Sequence, residues 1–208
     1  MNKLEVMAWN PAPLTASWLG YPHSAGLESI DYILVDPFIN PPDPALLIEK
    51  PFEMPKSWVA MGRLGFNEAE DIQPVIPSAR KGYITFGTAN NPYKYSPKVL
   101  STWARVLKDV PESKFLFVRP EAGAAAFREF MTKAFVDEGV AADRILFESV
   151  RGKHMRCYNE MDISLDTFPQ TGGTTTCESL FMGVPVITLV GSAFFERLSY
   201  SNLSNAGL

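Results

Sequence analysis

The sequence predicts an α/β protein: a doubly wound, parallel, Rossmann-like sheet with a partial second lobe. From residue 81 onward, short apolar strands alternate with helical segments at the spacing of strand–helix–strand units. A turn rich in glycine and threonine, residues 172–176, joins one of these strands to a helix. Residues 1–80 are rich in proline and lack the pattern of a self-sufficient core. We therefore divide the chain into residues 1–80, a partial lobe with a linker, and residues 81–208, a second lobe.

The first region contains few predicted elements. Residues 30–35, which are mostly apolar, predict a strand, and residues 58–61 are a second candidate strand. Residues 66–80 combine acidic and polar side chains with two prolines, which is typical of a linker.

The second region begins with a predicted strand at residues 83–86, which Gly87 terminates. Residues 97–108 predict a helix, because apolar side chains recur on one face, Ser96 can cap it and Pro97 suits its first turn. The elements that follow are a strand at 114–118, a helix at 121–138, a strand at 144–147, a short helix at 153–159 and a strand at 163–166. After the Gly/Thr turn and its helix, the sequence predicts a buried strand at 186–190 and a final helix at 193–205.

Three loops follow strands of this predicted parallel sheet: residues 87–94, residues 149–154 and the Gly/Thr turn. Parallel sheets bind ligands at the carboxyl ends of their strands, so these loops are expected to converge on one edge. The start of a helix exposes unpaired N–H groups and carries a partial positive charge, which favours phosphate. Glu178, one turn further on, could accept hydrogen bonds from ribose hydroxyls. The pattern therefore favours a site for a nucleotide diphosphate.

Composition excludes several classes of function. The net charge of −4 disfavours nucleic acid as a partner, and no apolar run approaches the ~18 residues of a membrane span. Residues 1–6 show no apolar signal region, so export is not expected. Two cysteines, Cys157 and Cys177, favour a reducing compartment and hence the cytoplasm. The two histidines, His23 and His154, lie far apart in sequence, so no metal site is expected.

Several motifs, in the same order and spacing, resemble the O-GlcNAc transferase family, which includes the plant SPINDLY-type enzymes. These motifs are Trp-Leu-Gly-Tyr-Pro at 18–22, Phe-Gly-Thr-Ala-Asn-Asn-Pro-Tyr-Lys at 86–94, Leu-Asp-Thr-Phe at 165–168, Gly-Thr-Thr-Thr at 173–176 and Gly-Val-Pro at 183–185. The resemblance implies a two-lobed GT-B glycosyltransferase, with residues 1–80 in the N-terminal catalytic lobe and residues 81–208 in the lobe that binds the nucleotide sugar. It also implies inverting transfer from a UDP-sugar, with UDP-GlcNAc as the expected donor, to Ser or Thr hydroxyls of a protein, without metal or cofactor.

The resemblance also assigns roles to individual residues. Lys94 is implied to contact the donor diphosphate and to stabilise the leaving group, which makes it the catalytic candidate. The other implied donor contacts are Asn91 as a polar neighbour, His154 on the uracil ring, Gly173, Thr174 and Thr175 on the phosphates, Glu178 on the ribose, and Gly26 in the loop that faces the donor from the other lobe.

Departures from the family pattern qualify this interpretation. Animal members carry histidine where Gly173 stands, and the loop after Tyr21–Pro22 usually begins with glycine where this chain has His23. The resemblance further implies that tetratricopeptide repeats and most of the N-terminal lobe belong to a longer protein. The alternative function is therefore a nucleotide-sugar-binding module or an inactive fragment that needs the missing lobe.

Each candidate also has an ordinary structural explanation. The Gly/Thr turn could be a simple capped helix start, and Lys94 a solvated loop lysine. His154 could cap a helix or lie half-buried. Glu178 could complement the dipole of its own helix.

Overall fold

The computed structural model describes residues 4–62 and 72–208. Its α-helices are α1 (Leu4–Ala8), α2 (Pro77–Lys81), α3 (Pro97–Asp109), α4 (Ala125–Asp137), α5 (Thr174–Phe181) and α6 (Leu198–Asn205). Its strands are β1 (Ala16–Ser17), β2 (Tyr32–Val35), β3 (Lys50–Glu53), β4 (Thr85–Thr88), β5 (Lys114–Val118), β6 (Ile145–Glu148), β7 (Ile163–Leu165) and β8 (Val186–Ile187). The chain forms two compact units. Unit 1 comprises Met1–Met61, Pro169–Gly173 and Leu189–Leu208; unit 2 comprises Gly62–Phe168 and Thr174–Thr188.

Unit 1 contains a three-stranded parallel sheet in the order β1-β2-β3. The buried carboxylate of Asp36, directly after β2, organises this unit. Its Oδ1 accepts hydrogen bonds from the backbone N–H groups of Phe38 and Ile39, and its Oδ2 accepts from the N–H of Trp58. Oδ2 also accepts from the Ser201 hydroxyl and the Asn205 amide of α6. One carboxylate therefore fastens the final helix to the end of the central strand.

Unit 2 is built on a five-stranded parallel sheet in the order β6-β5-β4-β7-β8. In chain order this is 3-2-1-4-5, the arrangement of a doubly wound sheet. Aromatic side chains fill the core beneath β5, where Trp103 of α3 stacks on Phe115 with ring centroids 4.9 Å apart. Phe117 and Phe135 complete this cluster and are fully buried.

Helix α3 follows its sequence signals closely. The Ser96 hydroxyl accepts a hydrogen bond from the N–H of Val99, and Pro97 occupies the first position. The apolar face buries Leu100, Trp103 and Leu107 among other residues, which confirms the predicted stripe.

The central strand β4 is shifted from the predicted range 83–86 to Thr85–Thr88. Gly82, with φ +78, ends α2, and residues 83–84 lead from that helix into the strand. Gly87 therefore lies inside the strand rather than at its end. A Cβ there would come within 2.7 Å of the Met161 sulfur and 3.0 Å of the Leu116 carbonyl oxygen, so the close packing requires glycine.

Several other predictions are wrong in detail. Residues 58–61 form no strand, because the N–H of Trp58 bonds to the Asp36 side chain instead of a neighbouring strand. The edge strands β1 and β3 were not predicted, since β1 has two residues and β3 is exposed throughout and contains Pro51. The end of the linker assigned to 66–80 is helical, because it contains most of α2, whose Ser78 N–H donates to Asp162; residues 66–71 lie outside the described part of the chain.

The C-terminal predictions need similar corrections. The strand predicted at 186–190 is only two residues long and is not buried, because β8 is an edge strand with Ile187 58% exposed. The helices predicted at 121–138 and 193–205 each divide into a 3-10 turn, Pro120–Gly123 or Phe194–Glu196, followed by α4 or α6. The predicted boundary between lobes at residue 80 stays a prediction.

Candidate functional site

The candidate site of unit 2 lies where the strand order reverses. β4 and β7 are neighbours in the sheet, but the connection after β4 leads to β5 on one side and the chain after β7 leads to β8 on the other. Open α/β sheets bind ligands in the crevice outside the carboxyl ends of two such strands. The residues that follow β4 and β7 are therefore the primary candidates for a ligand site.

Asn90 occupies the centre of this point and is 4% exposed. Its side-chain Nδ2 donates a 3.0 Å hydrogen bond to Oδ1 of Asp166, the residue after β7. Its Oδ1 accepts from Nζ of Lys94 at 3.3 Å and from the hydroxyl of Thr175 at 3.2 Å. One amide therefore joins the ends of β4 and β7 to the first turn of α5.

Asp166, like Asn90, makes several hydrogen bonds through its side chain. Its Oδ1 also accepts from the N–H of Thr167 at 2.8 Å, and its Oδ2 accepts from the Thr188 hydroxyl at 2.7 Å. Three donors on a carboxylate that is 5% exposed fix its orientation. The carboxylate places a negative charge close to Lys94.

Lys94 ends a 3-10 turn, Pro92–Lys94, that follows β4. The N–H of Tyr95 closes this turn on the Pro92 carbonyl, and the Tyr95 hydroxyl donates to the Asn90 carbonyl at 2.6 Å. Burial lowers the pKa of Lys94 below its usual range, and the nearby charge of Asp166 opposes that shift. A half-buried ammonium group beside a helix start is suited to binding phosphate oxygens.

Asn91 has a local role in the structure. Its side-chain oxygen accepts from the N–H of Tyr93 at 3.1 Å, so it caps the same 3-10 turn, and its side chain is exposed. The donor contact predicted for Asn91 stays a prediction.

Helix α5 begins at Thr174, as the Gly/Thr pattern predicts. Thr174 is exposed, Thr175 is half-buried against Asn90, and Thr176 is buried. Lys94 and Thr175, 81 residues apart in sequence, thus meet at one amide oxygen.

His154 and Glu178 also come together. His154 begins a 3-10 helix, His154–Glu160, and its Nε2 lies 2.9 Å from Oε1 of Glu178 on α5. The Tyr158 hydroxyl donates to the other carboxylate oxygen at 2.9 Å. Burial and the adjacent Glu178 carboxylate raise the pKa of Tyr158 well above its ordinary value, so it stays a donor. Glu178 is only 7% exposed, with both oxygens engaged.

Two predicted site residues lie in unit 1. Gly26 has φ +73, a conformation that favours glycine, and the neighbouring Ala25 N–H donates to buried Glu49 at 2.6 Å. The Gly173 carbonyl oxygen accepts a hydrogen bond from Nδ2 of Asn202 at 3.0 Å, and a Cβ added to Gly173 would meet no atom within 4 Å. Their contacts with a donor stay predictions.

Sequence reasoning missed Asn90, Asp166 and Tyr158 as site residues. Asn90 and Asp166 stand within two residues of the ends of β4 and β7, and this position next to a switch point is the signal that could have identified them. Tyr158 gave no local signal, because its role depends on a carboxylate 20 positions away.

Two kinds of feature are absent from residues 4–62 and 72–208. No cluster of three or more His, Cys, Asp or Glu side chains in these ranges could hold a metal ion. In the same ranges, no helix has the length and apolar character needed to cross a membrane.

Comparison with known proteins identifies the family. The model of glycosyl transferase family 41 matches residues 75–208. A probable UDP-N-acetylglucosamine–peptide N-acetylglucosaminyltransferase SPINDLY of Oryza sativa subsp. japonica is 37% identical over 213 residues, covering 100% of this chain and 22% of that protein. The UDP-N-acetylglucosamine–peptide N-acetylglucosaminyltransferase of Caenorhabditis elegans is 22% identical, covering 98% of this chain and 27% of the relative.

A solved structure agrees with this assignment. A mutant of the Thermobaculum terrenum O-GlcNAc transferase superposes with a TM-score of 0.85 at 29% identity, over 99% of this chain and 39% of that one. The α/β fold with parallel sheets is thus that of a glycosyltransferase of the GT-B class, as predicted. The chain belongs to glycosyl transferase family 41. It spans about a fifth of the length of the SPINDLY relatives it matches.

Proposed function

We propose that this chain is the part of an O-GlcNAc-transferase-type enzyme that binds the nucleotide sugar. The full protein transfers a sugar, GlcNAc by analogy with the names of its relatives, from a UDP-sugar to Ser or Thr of a protein with inversion. The observation that carries the proposal is the convergence of Lys94 and Thr175 on Asn90 at the switch point of the sheet. An ammonium group and a helix start supply two kinds of hydrogen-bond donor for phosphate oxygens at one place.

In this proposal Lys94 neutralises charge that develops on the leaving diphosphate. Thr174 and Thr175 donate to phosphate oxygens at the start of α5, and Asn91 adds a neighbouring polar contact. The sugar–phosphate bond breaks as the acceptor hydroxyl attacks the anomeric carbon; the hydroxyl loses its proton, and UDP leaves with the bonding electrons.

The nucleoside end of the donor is assigned to His154 and Glu178. His154, whose side chain is 38% exposed, packs on the uracil ring. Glu178 orients His154, and direct contact of Glu178 with the ribose hydroxyls is the alternative role, since both of its oxygens already have hydrogen-bond partners.

Donor binding needs neither metal nor cofactor in this mechanism, because Lys94 and the helix start provide the positive charge. A cytoplasmic location is also proposed, since both cysteines are free thiols, which suits a reducing compartment. Tetratricopeptide repeats and the remainder of the N-terminal lobe are proposed for the longer protein.

Calorimetric titration of residues 1–208 with UDP tests the proposal. We expect binding of equal affinity in EDTA and in manganese. Failure to bind UDP, or binding only with manganese, would contradict it.

Transfer itself is expected only from the longer protein, because positioning of the acceptor supplies up to ~7–11 kcal/mol of catalysis. The chain on its own should bind donor without transferring radiolabelled sugar to acceptor proteins. Turnover above background by residues 1–208 would show instead that the acceptor machinery lies within this sequence.

A further inference from the structure

The side chain of Asn90 connects three elements that the proposed donor site uses. It lies two residues after β4, and its polar atoms contact the residue after β7, the 3-10 turn of Lys94 and the first turn of α5. With 4% exposure, it makes these contacts away from solvent.

Asp166 determines which way the amide of Asn90 faces. A carboxylate accepts hydrogen bonds and cannot donate them, so Nδ2 of Asn90 must face Asp166. The Asp166 carboxylate is itself fixed by Thr167 and Thr188. The Asn90 oxygen is consequently directed to the opposite side, where both Lys94 and Thr175 donate to it.

The side chain is not what shapes the loop after β4. The Asn90 backbone is held separately: its N–H donates to the Thr88 hydroxyl at 3.3 Å and its carbonyl accepts from the Tyr95 hydroxyl at 2.6 Å. Truncation of the side chain would therefore leave the loop anchored while releasing Lys94 and Thr175 from a common partner.

We propose that Asn90, oriented by Asp166, is a positioning residue that holds the Lys94 ammonium and the Thr175 hydroxyl at one point for the donor diphosphate. The inference rests on the proposed function. Asn90 acts through these two groups, which exchange its amide oxygen for phosphate oxygens when the donor binds. Hydrogen-bond donors that are already oriented lose less conformational freedom when the ligand binds, so the affinity for the diphosphate rises.

A double-mutant cycle with UDP as the probe tests this inference. Calorimetry would compare the unmodified chain with Asn90→Ala, Lys94→Ala and the double variant. We expect Asn90→Ala to weaken UDP binding about tenfold, and the double variant to bind at most about threefold more weakly than Lys94→Ala alone, because interacting residues are not additive. Equal losses from Asn90→Ala in both backgrounds, or no loss, would overturn the proposal.

Ser113→Ala is a matched control for general destabilisation. Ser113 is 1% exposed, and its hydroxyl donates to the Val110 carbonyl and accepts from Arg144. It lies just before β5, at the amino ends of the strands, whereas the proposed site lies at their carboxyl ends. UDP affinity should be unchanged in this variant. A loss equal to that of Asn90→Ala would show that destabilisation alone explains the effect and would overturn the proposal.

A reversed pair provides the rescue. Asn90→Asp keeps the size of the side chain but sets two carboxylates against each other, so UDP binding should weaken by more than about tenfold. Adding Asp166→Asn restores a donor and an acceptor, and most of the loss should be recovered. A reversed pair that binds UDP no better than Asn90→Asp alone would overturn the role of the hydrogen bond.

If the unmodified chain does not bind UDP, the proposed function itself fails, which is a separate result.

Discussion

Nε2 of His154 lies 2.9 Å from Oε1 of Glu178, although the two residues are 24 positions apart. Tyr158 occupies the other oxygen of the same carboxylate. Because Glu178 is 7% exposed, a ligand that approaches from solvent meets the His154 ring more readily than the carboxylate. The pair therefore works as a ring oriented by a buried acid.

Glu178→Ala is expected to weaken UDP binding about tenfold, because the His154 ring loses a charge-assisted partner. His154→Ala should cause a similar loss, and the double variant should be within about threefold of His154→Ala. Calorimetry on the three variants measures this. Fully additive losses would contradict an effect through His154 and would point to direct contact between Glu178 and the ribose.

Lys94→Ala is expected to weaken UDP binding about tenfold or more, since a hydrogen bond to a charged group contributes about 1.5–3 kcal/mol. Lys133→Ala is the matched control: this lysine lies on α4 of the same unit, and its side chain is 72% exposed. Equal affinities of the Lys94→Ala and Lys133→Ala variants would contradict the assignment of Lys94.

UDP affinity should fall with rising pH at a midpoint below 10.5, because burial lowers the pKa of Lys94 from that ordinary value and only the ammonium form binds phosphate strongly. Stability should change in the opposite sense. Between the lowered pKa and 10.5 the unfolded chain holds more protons on Lys94 than the folded chain, so the contribution of Lys94 to the free energy of unfolding rises with pH.

Titrations of UDP from about pH 7 to about pH 10 measure the first effect. Lys94→Ala is the control and should lack this fall in affinity. The same midpoint in both proteins would show that another group is responsible.

Asp36→Ala is expected to lower the free energy of unfolding by at least about 3 kcal/mol, because the N–H groups of Phe38, Ile39 and Trp58 and the Ser201 hydroxyl of α6 lose their acceptor. Asp36→Asn, which keeps the size of the side chain, should cost less. Urea denaturation followed by circular dichroism measures both variants. Glu53→Ala, at an exposed carboxylate of β3, is the control, and an equal midpoint for Asp36→Ala and Glu53→Ala would refute the role of Asp36.

The sequence by itself determined the features that depend on neighbouring residues. The cap at Ser96 and the apolar stripe fixed α3, and the glycines and threonines at 172–176 marked the start of α5. Alternating strands and helices established the parallel sheet. Local hydrogen bonds and periodic burial produce all of these, so a short window of sequence contains their causes.

Only the tertiary structure decided which polar groups meet. Asn90 and Asp166 are 76 positions apart, and Asp36 and Ser201 are 165 apart. The same holds for the edge strands β1 and β3, whose two and four residues gain their partners from β2. Such contacts depend on strand order and register, which bring distant segments together. A buried carboxylate or amide is stable only where those segments supply its partners, so its role cannot be read from its neighbours in the chain.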